Sequence, residues 1–229
     1  YRPEHIRLGP GTRLDHGAVL DARSGPVVLS AGCEVHPHTW IHGPFFAGPG
    51  TRLLGGKIGA GTSIGPKCRV NGEVEATVML GFTNKAHDGF VGHSYLGEWI
   101  NLGALTTTSD LKNNYGKVRL EVDGQSLETD LKKVGSFLGD HVKTRIGCLL
   151  TTGTVVGTGA SLFGDAAQVD RWVPEFSWGY GPGRSEYALD KFLETAEIVM
   201  GRREETLGEA ERAALTAAFR ATAGSSRAP

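Results

Sequence analysis

Cysteine is scarce in this chain: three residues in 229, at positions 33, 68 and 148. So few exclude a disulfide framework and suit a reducing compartment, and the chain is expected in the cytoplasm. No apolar run reaches the ~20 residues that a membrane-spanning helix needs. No basic, apolar leader opens the chain. Charge of one sign is also missing: 24 Lys and Arg stand against 25 Asp and Glu, a net charge of -1. That balance leaves no electrostatic footprint for nucleic acid. There is no nucleophilic serine elbow, no cysteine-nucleophile motif and no glycine-rich nucleotide-activating loop. The chain starts Tyr1-Arg2-Pro3, almost at once in the register described next, and is expected to be the C-terminal part of something longer.

What the sequence has is a period of six. Leu8, Leu14 and Leu20 are followed by Leu29, Val35, Ile41, Ala47 and Leu53, then Ile58, Ile64 and Val70. Leu138, Thr144, Leu150, Val156 and Leu162 form a later run. Four places after most of these stands a small or β-branched residue, among them Thr39, Thr51, Thr62, Thr154 and all three cysteines. A six-residue unit suits one short strand and one tight corner. Three such units make a triangular coil of roughly 18 residues, stacked at the ~4.8 Å strand spacing. The aliphatic and small positions both point inward, so the cysteines are core residues. The 34 Gly and 10 Pro fit a fold made of corners. The pattern predicts an all-β parallel β-helix over 1–165, with a long loop at 104–134 that breaks the period. An aromatic exit loop follows at 166–184, then helices over 185–222. Ser185 before Glu186 reads as a helix cap, and the helices are expected to cover the open last coil.

The densest polar segment runs from Lys85 to Ala104. His87 is followed by Phe90 and Gly92, and further on by Asn101-Leu102-Gly103-Ala104. This segment, with its spacing from His87 to Asn101, resembles the acetyltransferase domain of the bifunctional N-acetylglucosamine-1-phosphate uridyltransferase/glucosamine-1-phosphate acetyltransferases, including archaeal sugar-1-phosphate relatives. The phrases "NKAHDGF", "GHSYLGEW", "NLGA", "SDLKNNYG" and "SFLGDHVKT" further resemble a sugar nucleotidyltransferase group carrying that domain. The resemblance implies a left-handed coil, a homotrimer and active sites in the clefts between prisms. It implies acetyl-CoA as co-substrate and an amino-sugar phosphate or nucleotide-linked amino sugar as acceptor. Neither a membrane nor a nucleic-acid partner is expected. His87 would be the general base, a role neutral histidine fills near pH 7. Asn101 would contact the sugar, with Lys85, Phe90, His93, Tyr95, Asp110, Asn114, Tyr115 and Lys117 as further substrate contacts. Ala104 would lie against acetyl-CoA, whose arm would run near Cys148, Thr151, Thr152 and Gly153. A backbone N–H near Ala104 would steady the oxyanion.

His93 is the rival base, but it stands one hexapeptide closer to Asn101, which moves the asparagine to another face. At the place ahead of the base where the family carries a phosphate-binding lysine, this chain has Glu75. Either phosphate recognition is therefore expected to move, to Lys85, Arg69, Lys112 or Lys117, or the substrate differs. His36, His38 and His42 invite a metal, and the same fold resembles γ-class carbonic anhydrases, but the spacings differ and no metal is expected. A non-catalytic trimerising module of a nucleotidyltransferase is the other alternative. Tyr95 and Trp99 are expected on a flat face suited to association.

Overall fold

The computed structural model describes residues 1–165 and 168–222. Short strands stack in parallel on three faces to form a β-helix. The first face runs in register through Arg7, Val28, Phe46 and Ser63, then Val78, Tyr95, Phe137, Val155 and Trp172. The second face begins at Arg13 and the third at Val19. The period of six becomes three inward columns. Leu29, Val35, Ile41, Ala47, Leu53, Ile58, Ile64 and Val70 are all buried, as are Cys33, Cys68 and Cys148. Burial pushes the Cys68 thiol up to about 12, consistent with an inert core side chain. Threonines in the small position satisfy their hydroxyls on carbonyls: Thr51 Oγ1 donates to Gly65 O at 2.7 Å.

Most coils keep a near-constant length, but two steps are longer. Ile6 pairs with Val27, a coil lengthened by the insertion at Arg23–Val28. Tyr95 pairs with Phe137, more than two ordinary coils on in sequence, so a loop leaves the solenoid between them. The period lasts further into this stretch than the sequence suggests. Thr107–Thr108 is a strand of the third face, paired with Leu149–Leu150. The loop departs at Ser109, and the Val134 N–H closes its neck on Asp110 O at 2.9 Å. It carries an antiparallel hairpin, Arg119–Val122 with Gln125–Glu128. The aromatic stretch read as an exit continues the solenoid, since Trp172–Val173 and Ser177–Trp178 add strands to two faces.

Two helices follow, α1 (Leu189–Gly201) and α2 (Glu209–Thr222). Ser185–Glu186 is a strand, antiparallel to Ser177–Trp178, so Ser185 is not a cap. The helices lie along the edge between the first and second faces and reach the last coil at Phe176. Corner residues Phe82, Trp99, His141 and Phe176 share positive φ there. Phe82 stacks on Trp99 at 4.1 Å, and Phe192 of α1 meets His141 and Phe176 edge-on. Trp99 is therefore covered by its own chain at 4% exposure and is no association surface. The buried His141 imidazole is pushed down to about 4 by desolvation. Among the described residues, no helix is long and apolar enough to cross a membrane.

Candidate functional site

His87 stands exposed on the edge between the second and third faces. Its corner is held from inside by Lys85. Lys85 occupies an inward position, in the column of Leu53 and Val70, and is 2% exposed. Its Nζ donates to Asn71 O at 2.7 Å and to His87 O at 2.8 Å. Burial pushes the ammonium down to about 8, against the pull of Asp88. Lys85 is thus a clamp on the backbone beneath His87. The expectation that it meets substrate or phosphate is corrected, because a lysine among aliphatic residues finds its acceptors within the coil.

The next coil brings Ala104 to the same edge. The Leu105 N–H donates to Asp88 O at 2.9 Å, so the corner of Ala104 stacks directly on that of His87. The Gly147 N–H donates to Ala104 O at 2.7 Å and adds a third corner. The Ala104 N–H meets no acceptor among the described residues. Asn101 lies outward on the second face between Asn84 and Lys143, and its Oδ1 accepts from Asn84 Nδ2 at 2.9 Å.

His93 belongs to a different edge, between the third and first faces. Its backbone is left-handed, at φ 47. Its Nδ1 lies 2.7 Å from Asp110 Oδ2, with both side chains mostly buried. Gly92 makes the floor of this pair. A Cβ there would lie 2.3 Å from Phe90 Cζ and 2.8 Å from Asp110 Oδ2, so a side chain at this position would push both groups aside. Phe90 and Asp110 therefore group with His93, whereas the corner of Ala104 stacks on that of His87. Tyr95 follows on the first face, 43% exposed.

The residues expected along the acetyl-CoA arm divide. Cys148 is fully buried with its thiol pushed up to about 11 by desolvation, so its side chain touches no ligand and that expectation is corrected. Gly153 lies under the loop, where a Cβ would stand 2.9 Å from Val118 Cγ1, and is likewise covered. Thr151 and Thr152 line an open cavity of about 470 Å³ with Ser109, Lys112 and Asn114. Thr152 Oγ1 is tied to Ser109 Oγ at 2.8 Å. Tyr115 projects from the loop at 67% exposure, and Lys117 pairs with Asp130 at 2.6 Å, away from either histidine's contacts. Glu75 lies on the third face in register with Gly92, lining a cavity of about 280 Å³ with His42, Lys57 and Glu73. His36, His38 and His42 are not gathered: His36 Nε2 faces Glu34 at 3.4 Å and His42 Nε2 faces Ser24 at 3.0 Å. No group of three or more metal-ligating side chains occurs among the described residues.

Reading in sixes misses an outward column on the second face, Arg52, Arg69, Asn84, Asn101 and Lys143. The signal that finds it is recurrence at coil length, as in Arg52 to Arg69 and Asn84 to Asn101, each pair one coil apart.

No family model matches the chain. Over 109 residues it is 31% identical to a bifunctional sugar-1-phosphate nucleotidylyltransferase/acetyltransferase of Sulfurisphaera tokodaii. Its relatives are two-activity enzymes. The bifunctional protein GlmU of Methanococcus vannielii is 31% identical over 108 residues. These matches cover 48% and 47% of this chain, and each spans about a quarter of its relative, 26%. A Bacillus cereus crystal structure, named as that of a "putative acetyltransferase", covers 93% of this chain and 99% of its own at 10% identity. Its TM-score is 0.32, and the likeness carries no argument.

Proposed function

We propose that the chain transfers an acetyl group from acetyl-CoA to the amine of an amino-sugar phosphate or a nucleotide-linked amino sugar. The observation that carries this reading is the stack of corners on one edge. It sets an exposed imidazole (His87) beside a backbone N–H that meets no acceptor among the described residues (Ala104), with the outward amide of Asn101 on the adjoining second face. Acyl transfer to an amine needs these three functions. His87 takes the ammonium proton and frees the lone pair to attack the thioester carbonyl. The Ala104 N–H is free to donate to the oxyanion that forms. Asn101 hydrogen-bonds a sugar hydroxyl. As the tetrahedral intermediate collapses, the C–S bond breaks and the CoA thiolate leaves with a proton. The relatives' names support acetyl transfer to a sugar 1-phosphate as the class of reaction.

The single prism leaves His87 open, and a homotrimer would close a second prism over it. The first face supports such association, since Phe46, Val78, Leu80 and Tyr95 stand outward and exposed along it. A second reading makes His93 the base, and the 2.7 Å contact with Asp110 favours it, because a carboxylate orients an imidazole for proton transfer. Free thiol release from acetyl-CoA, measured with and without glucosamine 1-phosphate and nucleotide-linked amino sugars, tests the function. Acceptor-dependent release is expected. Release that no amino sugar stimulates would overturn the reading.

A further inference from the structure

The outward column of the second face does not end in solvent. The C-terminal end of α1 lies over it and brings Arg202 and Arg203 to face Arg69. Two cavities of about 250 and 240 Å³ adjoin there, and both are lined by Arg69, Arg202 and Arg203. Asn84, Asn101 and Lys143 extend the first, while Arg52 and Lys67 extend the second.

The nearby carboxylates are mostly engaged elsewhere. Glu34 pairs with Arg13 at 3.3 Å and Arg52 at 3.5 Å, and Glu205 is taken by Lys67. Glu204 lines the rim of the second cavity without an ion pair among the described residues. Arg69, Arg202 and Arg203 have no carboxylate partner among the described residues. The dipole at the end of α1 favours cations only weakly. It accounts for Arg202 and Arg203 but not for Arg69 directly opposite. Burial, and then the neighbouring Arg69, weaken the hold of Arg203 on its proton. Three guanidiniums facing one another, with only the Glu204 carboxylate at the rim and in no ion pair with them, repel, and a bound anion removes that repulsion.

We infer that this groove binds a small molecule carrying a diphosphate group. Guanidinium forks match phosphate oxygens in pairs. The shared arginines stand at the waist of two cavities, so two adjacent phosphates fit the arrangement better than one. The space on either side takes substituents, with amides from Asn84 and Asn101 at one end. Binding is read without turnover, so the inference stands apart from the choice of catalytic histidine.

Titration calorimetry of the full chain with inorganic pyrophosphate, and separately with inorganic phosphate, at low ionic strength tests this. Saturable pyrophosphate binding is expected, tighter than that of phosphate. Arg69→Gln and Arg203→Gln should each weaken it roughly tenfold or more. Arg203→Lys, which keeps the charge should Gln disturb α1, should weaken it less. Arg119→Gln on the distant hairpin should leave it unchanged. The inference is overturned by absent saturable binding, by phosphate binding as tightly as pyrophosphate, or by an unaltered dissociation constant in Arg69→Gln.

Discussion

Replacing Lys85 by Met keeps the length of the side chain and removes its charge and donors. Two opposing quantities follow from the structure. The fall of the ammonium from 10.5 to about 8 corresponds to ~3.4 kcal/mol against burying the charge. Its bonds to Asn71 O and His87 O return about 1.5–3 kcal/mol each. These partly offset, so Lys85→Met should change stability at pH 7 by no more than about 3 kcal/mol. The pH dependence separates the variants more clearly. A buried lysine with a lowered folded value binds fewer protons than the unfolded chain between about 8 and 10.5, so its contribution to stability rises with pH there. From pH 7 to pH 9, wild type should gain about 1.3 kcal/mol relative to Lys85→Met. Taking the difference cancels the contribution of Lys143, which burial also pushes down to about 8. Urea unfolding of both proteins at the two pH values measures it. The corner of His87 should also lose its hold, and acetyl transfer should fall roughly 10- to 100-fold in kcat. Parallel pH profiles of stability, together with unchanged turnover, would refute the clamp.

Three further outcomes are expected. Burial, and then the charge of Asp140, raises the Glu98 carboxyl, so this group stabilises the fold at low pH and the benefit is lost as pH rises through its folded value. Glu98→Gln should therefore raise the midpoint of thermal unfolding at pH 7 but not at pH 4. Glu75→Lys should lower KM for phosphorylated amino sugars if phosphate reaches the third face, and an unchanged KM would place it elsewhere. Light scattering should give a trimer, and Phe46→Glu with Tyr95→Glu should dissociate it; a monomeric wild type would remove the shared cleft.

The inward columns were legible in the sequence because burial allows only aliphatic or small side chains at every sixth residue. Leu53, Val70, Leu102 and Leu162 follow that rule, and Lys85 breaks it. A lysine looks like a surface residue until its register shows that it points inward. The corners were less legible. Phe82, Trp99, His141 and Phe176 form one aromatic column, but the inserted loop separates Trp99 from His141 in the sequence. The pairing of His93 with Asp110 joins a corner to the first turn of an aperiodic loop, a contact that no spacing rule foresees. Likewise, the meeting of Arg69 with Arg203 depends on where α1 docks, which its own amphipathic pattern does not specify.

The most direct measurement of the central claim is kcat/KM for acetyl transfer by His87→Ala beside His93→Ala, with folding of both checked by circular dichroism. If His87 is the base, its loss should reduce kcat/KM by about 10²–10⁴ while His93→Ala retains most activity. Full activity in His87→Ala, with His93→Ala inactive, would contradict the account and move the chemistry to the pair with Asp110.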